Sequence, residues 1–453
     1  MTSKTLTDLV LERLSNLDAV LCEDFDISLD AQIKRCFADY VGVSIAGAEL
    51  KADCIRDYCG FIGHGDSYVV GSDVFCDAQN AAFLMGLQAH ATELDDGHRK
   101  GMVHPGAVVF SALLAINPYV HASWSSFRRA AVLGYETTIL LSELVQPFHK
   151  KSGFHATATC GAAGAACAAA ALLGQNLEGW KTAISIALSG ANGLLETINA
   201  ESDLKPINAA RAAMLGVNAA VLSACSFRVP HDIVGGERGF ASCMASNLDL
   251  SSFPVFEATP FIMGVYFKPY SSCRHCHPGV EAAIRISGYP AVTFERLRAV
   301  KIETYELALK GHCSKDLSSA SAAKMSIPVS VALALATGRG DCFDDDLLTS
   351  PVLERVVNAT CVSACDELSR LVPAKRVAIV TVILDDGSTI SERVDYPKGE
   401  PENPMSNQEL KEKFARCSSS FWLSSDKAEI CFDSIMDMSP EQLIDDFLEM
   451  MRG

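Results

Sequence analysis

From Ser28 to about Ile262 the apolar residues return with a helical period. Ile33, Phe37, Tyr40, Val41 and Ile45 follow Ser28, Phe127 to Leu144 follow Ser125 or Ser126, and Trp180 to Gly190 follow Asn176. Each run joins a side chain able to cap a helix to a 3.6-residue repeat. Leu6, Leu9, Val10 and Leu14 predict a further amphipathic helix, interrupted by Asp8 and Glu12. Ala81 to Ala91 and Ala107 to Ile116 are apolar and rich in small residues, the pattern of buried helices. Phe154 to Gly174 is mainly Ala, Gly and Thr. Alanine gives too little transfer free energy to hold a helix in lipid, so this run predicts a close-packed helix of a soluble protein. Gly161, Gly164 and Gly216 each cost about 1 kcal/mol relative to alanine inside a helix, which points to close helix–helix approach.

After about Val265 the period shortens. Val300, Ile302 and Thr304 alternate with Lys301, Glu303 and Tyr305. Val377 to Leu384 and Thr389 to Val394 flank Asp385-Asp386-Gly387, which predicts a β-hairpin. Helical patterns at His277 to Ser287, Ser326 to Gly338 and Leu347 to Asn358 lie between the strands, and Asn407 to Cys417 and Pro440 to Met451 are helical again. The expected fold is mainly α. A large helical domain spans 1–265, with 396–453 packing back onto it, and a smaller α+β domain spans 266–395.

With 453 residues, 49% apolar and 21% charged, the chain can bury a large core. A net charge of −17 argues against a nucleic-acid partner and requires any site for an anion to be locally positive. The 17 cysteines are scattered through apolar helices, without a framework spacing or a signal segment. They predict reduced, buried thiols and a cytoplasmic protein with no membrane partner.

Four charged islands interrupt the apolar runs. Glu93-Leu94-Asp95-Asp96-Gly97-His98-Arg99-Lys100, followed by His104-Pro105-Gly106, gathers acids, imidazoles and cations between two buried helices. Such a cluster is either a solvated helix end or the lining of a cavity where protons move. His149-Lys150-Lys151 leads to His155 at the start of the Ala/Gly helix, and Lys205 opens another helix. Helix N-termini favour anions through their free N–H groups and dipole. The fourth island is Lys268 to Pro278, with Cys273-x-x-Cys276-His277. That spacing matches haem attachment and its residues suit zinc, but there is no export signal and no second ligand pair. No nucleotide-binding glycine loop, Walker loop or nucleophile elbow occurs. The expectation is therefore no cofactor and no metal.

In this order the islands resemble the MmgE/PrpD family, which contains 2-methylcitrate dehydratase, cis-aconitate decarboxylase and iminodisuccinate epimerase. The resemblance is carried by Glu93 to Gly106, Gly153-Phe154-His155, Lys205 to Ala209, Gly235 to Phe240, Lys268 to His277, Tyr396-Pro397-Lys398-Gly399 and Asn403-Pro404. It implies a helical domain, an α+β lid, an active site between them and a homodimer. It also implies His104, His155, Lys205 and His277 as catalytic residues. Glu93, Asp96, His98, Arg99, Arg274 and His275 are the expected contacts of a small di- or tricarboxylate. Departures are plain: Gly97 stands where the decarboxylase has threonine, Val329 where it has tyrosine, and the Asp96–His104 spacing is one residue longer. Glu-Leu-Asp-Asp-Gly-His-Arg is closer to the epimerase-like branch. The expected function is a cofactor-independent lyase or isomerase moving a proton next to a carboxylate. The alternatives are an epimerase of an amino- or imino-dicarboxylate and a catalytically silent carboxylate-binding homologue.

Overall fold

The computed structural model describes residues 4–23, 26–198, 202–245, 259–418 and 423–452. The chain is mainly α and divides into two compact units. The first comprises Met1–Leu195, Lys205–Tyr266 and Ser406–Gly453; the second comprises Glu196–Leu204 and Phe267–Met405.

In the first unit the buried helices form where the apolar runs stand, at Ala78–Ala91, Pro105–Ile116, Trp124–Val145, Ala156–Leu172 and Lys205–Leu222. Every residue of Ala156–Leu172 is buried. Glycines of this helix and of Lys205–Leu222 act as spacers. A Cβ at Gly164 would lie 1.7 Å from Thr138 Oγ1, and one at Gly216 would lie 2.4 Å from the Ala165 Cβ. Two caps differ from expectation. Asp26, not Ser28, caps Ile27–Leu50, because its carboxylate accepts from the N–H groups of Ser28 and Leu29. Ser123, rather than Ser125 or Ser126, caps Trp124–Val145. Asn176 caps Leu177–Gly190 through the N–H of Gly179.

The C-terminal segment completes this unit. Phe447, on Ile444–Arg452, packs its ring 5.7 Å from Phe37, which also meets Phe110 and Phe127 at 5.3 Å each. Lys413, on Asn407–Ser418, is buried and paired with Asp39. A further helix, Ser425–Met436, was not distinguished in the sequence.

The second unit holds a four-stranded sheet in the order Thr360–Ala364, Leu297–Thr304, Ala378–Leu384, Thr389–Val394. The first pair is parallel and the others antiparallel, so the Asp-Asp-Gly hairpin forms. Val300, Ile302, Val380 and Val382 share one buried core with residues of His277–Ser287 and Ile327–Thr337. The last predicted helix is broken in two, Asp345–Leu348 and Pro351–Asn358, since proline lacks the donor to continue a helix and suits its first turn. Residues 396–405 belong to this unit rather than to the tail. Arg274 holds the carbonyls of Pro397 and Lys398 and the Glu400 carboxylate, and Phe267 N–H donates to the Gly399 carbonyl. Among the described residues no helix is long and apolar enough to cross a membrane.

Candidate functional site

The helix Ala78–Ala91 ends at Thr92, and Glu93 turns the chain with φ 60°, a region few non-glycine residues occupy. The following residues are each fastened to a different element. The Leu94 carbonyl accepts from Lys413 Nζ at 2.7 Å. Asp95 Oδ2 accepts from His90 Nδ1 at 2.6 Å. The Asp96 carboxylate takes the Tyr135 hydroxyl at 2.6 Å and the Gly106 N–H at 3.0 Å. Burial pushes Asp96 up to about 7, against the Tyr135 hydroxyl, which draws it down. Anchors this numerous hold a strained turn in one conformation.

Three candidate residues then stand at three helix N-termini. His104 precedes Pro105–Ile116, His155 precedes Ala156–Leu172, and Lys205 opens Lys205–Leu222. Side chains tie these ends together. The His104 N–H donates to Thr157 Oγ1 at 3.2 Å, and Asn208 Nδ2 donates to His155 Nδ1 at 3.2 Å. Lys205 Nζ pairs closely with Glu93, both side chains being largely buried. Aligned backbone dipoles make each end a region of positive potential.

The two imidazoles are held in opposite tautomers. His104 Nδ1 lies 2.6 Å from the Asp96 carbonyl, which can only accept, so Nδ1 carries the hydrogen and Nε2 a lone pair. The Asn208 amide can only donate at Nδ2, so His155 Nδ1 accepts and its Nε2 carries the hydrogen. Burial holds His155 far below the ordinary imidazole range, reinforced by His90, Lys205 and His104 and opposed by Glu93. His155 is therefore neutral near pH 7.

Of the residues expected from sequence in this unit, Glu93, His104, His155 and Lys205 are brought together. Asp96 joins them through its carbonyl, and its carboxylate accepts from the Tyr135 hydroxyl and the Gly106 amide. His98 makes other contacts. It alternates with Gly97 on the short strand, pairing with Val265, and its ring turns toward Glu143 Oε1 (3.6 Å) and Phe261. Arg99 is half-buried in the turn that follows.

His90 and Asn208 were not assigned from sequence. His90 sits inside an apolar run that reads as core, yet its ring lies 5.1 Å from that of His104 and 5.6 Å from that of His155. Asp95 Oδ2 reaches both His90 Nδ1 and, at 3.4 Å, His104 Nδ1. Potential ligand atoms of His90, Asp95 and His104 lie within 4.8 Å of one another. With Nδ1 of His90 giving its hydrogen to Asp95 and Nδ1 of His104 giving its hydrogen to the Asp96 carbonyl, the lone pair that a divalent cation would need stands at Nε2 of each ring. The position given by resemblance to threonine is also filled. A Cβ on Gly97 would lie 2.4 Å from the Tyr266 hydroxyl.

The remaining expected residues lie in the second unit. Arg274 is buried and its five donors are taken up: Nε and Nη2 by Glu400, Nη1 by His277 Nδ1 and the Lys398 carbonyl, Nη2 also by the Pro397 carbonyl. His277 is fully buried, accepts from Arg274 at 2.8 Å and gives its Nε2 hydrogen to the Ser272 carbonyl at 3.1 Å. His275 Nδ1 meets the Tyr305 hydroxyl at 2.5 Å. These side chains fasten the start of a helix to its surroundings. Val329 is buried within Ile327–Thr337. Cys273, Cys276 and His277 form no three-ligand group among the described residues.

Two adjoining domain models cover this architecture. The MmgE/PrpD N-terminal domain matches residues 18–252, and the MmgE/PrpD C-terminal domain matches residues 270–436. The chain belongs to the MmgE/PrpD family. It is 25% identical to a cis-aconitate decarboxylase-like protein of Aspergillus oryzae over 99% of each chain. It is 25% identical to the cis-aconitate decarboxylase of Aspergillus terreus over 88% of this chain and 87% of that one. Identity to the human cis-aconitate decarboxylase is 23%, covering 87% and 84% of the two chains.

Proposed function

We propose that this protein is a cofactor-independent lyase that decarboxylates or dehydrates a small di- or tricarboxylic acid by proton transfer at the carbon next to a carboxylate. The observation that carries the reading is the pair of imidazoles pinned in opposite tautomers at helix N-termini. His104 offers an Nε2 lone pair, and its protonated form is supported at Nδ1 by the Asp96 carbonyl and by Asp95. It is the group that takes up or delivers the proton at carbon. His155, kept neutral, offers an Nε2–H to the oxygen where enolate-like charge develops; a neutral imidazole at a helix N-terminus suits that electrophilic role. Lys205 and the positive ends of the helix dipoles receive a substrate carboxylate, which competes with Glu93 for the ammonium. The decarboxylase relatives favour a substrate of the cis-aconitate class.

The test is a screen of purified protein in deuterated solvent against small di- and tricarboxylates, beginning with cis-aconitate. NMR would read deuterium at the carbon next to the carboxylate, and released carbon dioxide or water addition would define the reaction. His104→Ala is expected to slow turnover about 10²-fold or more. Lys205→Ala is expected to raise KM about ten- to hundred-fold, the loss of one charge-assisted contact of about 1.5–3 kcal/mol. Binding of such an acid with neither exchange nor turnover would overturn the enzymatic reading in favour of a silent homologue. Exchange and inversion without loss of carbon dioxide or water would replace the lyase with an epimerase.

A further inference from the structure

The Cys273-x-x-Cys276-His277 segment takes no part in the proposed reaction, yet one of its thiols stands in a reactive setting. Cys273 is half-buried, and its Sγ lies 3.8 Å from His312 Nε2. His312 is 1% exposed. Its Nδ1 lies 2.8 Å from the Met325 carbonyl, which can only accept. That contact puts the hydrogen on Nδ1 and turns the Nε2 lone pair toward the thiol. The order is nucleophile, base and an orienting acceptor behind the base, the arrangement that activates a cysteine. Cys273 is itself held, since its N–H donates to the Lys324 carbonyl at 2.9 Å and its carbonyl accepts from the N–H of Cys276. It also lies just before the N-terminus of the eleven-residue helix His277–Ser287, whose dipole favours a thiolate.

We infer that Cys273 and His312 form a nucleophilic thiol–imidazole pair, a site of covalent modification by soft electrophiles. The Cys273 proton passes to His312 Nε2, and the thiolate attacks the electrophilic carbon. With an alkyl halide a C–S bond forms, the carbon–halogen bond breaks, and halide leaves with the electron pair. Other groups around the pair are His275, whose ring lies 5.1 Å from that of His312, and Tyr305, which His275 contacts. Cys276, Arg376 and Glu400 share the electrostatic surroundings of Tyr305 with Cys273. Arg376 supports a thiolate, whereas Glu400 opposes it.

Cys22, Cys54, Cys225, Cys243 and Cys361 are exposed and serve as internal references. An ordinary thiol, with a pKa of about 8.5, is about 1% ionised at pH 6.5. Iodoacetamide labelling of the full-length protein, followed peptide by peptide by mass spectrometry from pH 5.5 to 9, reads each site in one sample. Cys273 is expected to alkylate at least tenfold faster than these five at pH 6.5, with its rate midpoint displaced to lower pH. His312→Gln can still donate to the Met325 carbonyl but cannot take the thiol proton. It is expected to cancel the advantage and return the midpoint to the ordinary range. His312→Phe, checked for folding by circular dichroism, should do the same. Labelling of Cys273 no faster than the exposed sites, or an unchanged profile in His312→Gln, would overturn the assignment. Neither result depends on the carboxylate chemistry.

Discussion

Asn208→Leu tests the proposed division of labour between the two imidazoles. The Asn208 amide uses both Nδ2 hydrogens, one on His155 Nδ1 at 3.2 Å and one on the Leu194 carbonyl at 3.3 Å. Leucine has nearly the same shape and no donor. Two acceptors each lose a donor, one of them on a buried ring, so stability should fall by about 1–3 kcal/mol. The chemical effect is separate and larger. With Asn208 gone, nothing holds the hydrogen on His155 Nε2, and the tautomer with hydrogen on Nδ1 becomes accessible. That form turns a lone pair toward the oxygen that needs a donor. Removing one such donor costs about 10²–10³ in turnover in a preorganised site. The assay pairs kcat on the best substrate of the carboxylate screen with ¹⁵N shifts of labelled imidazole, which report the tautomer directly. The expected result is a loss of kcat far exceeding any change in KM, together with an altered His155 tautomer. Full turnover in a folded Asn208→Leu protein, or a His155 ring still protonated on Nε2, would refute the reasoning.

Two further outcomes follow from the same geometry. Gly97→Thr forces a Cβ to within 2.4 Å of the Tyr266 hydroxyl, so it should cost about 1–3 kcal/mol by overpacking; Tyr266→Ala should shrink that cost in a thermal-denaturation double-mutant cycle. His149, buried and pushed by burial down to about 4, should make stability fall with pH. Its unfolded pKa of about 6.5 is higher, so the unfolded chain binds the extra proton between about pH 6.5 and 4; about 3 kcal/mol is lost across that window and no more below it. Asp96, raised to about 7, slopes the other way over much of the same range, so the readout is the difference between wild type and His149→Phe in urea titrations at each pH.

Periodicity exposed the helices because they bury one face or all faces of a continuous run. The hairpin around Asp385-Asp386-Gly387 was legible for the complementary reason, a period of two on either side of a turn. Caps were less legible, since Asp26, Ser28, Ser123, Ser125 and Ser126 all have suitable side chains and only the backbone angles choose among them. In the candidate site, charged residues at helix starts stood out against apolar surroundings. His90 did not, because a histidine within Ala81 to Ala91 has the same pattern as a satisfied core residue. What reveals it is the loop after it, which folds back so that Asp95 meets its ring. Arg274 shows the converse. A lone cation beside histidines reads as an anion receptor, and only the return of 397–400 reveals that its donors are already engaged.

The electrostatics of the proposed site follow from this distinction. The chain carries a net charge of −17, and the cation nearest the two imidazoles, Lys205, is already neutralised by Glu93. Lys205 is thus one part of how an anionic substrate would be held, once the substrate carboxylate takes the place of Glu93. The starts of Pro105–Ile116, Ala156–Leu172 and Lys205–Leu222 are the other, because partial charges on the helix dipoles are fixed in place and do not titrate. Burial, reinforced by His90, Lys205 and His104, disfavours imidazolium at His155 and keeps it a neutral donor, whereas His104 has the Asp95 carboxylate at 3.4 Å to support a proton. The helix ends thus account for the attraction of a carboxylate, and the surroundings of each ring for the unequal roles proposed for two histidines.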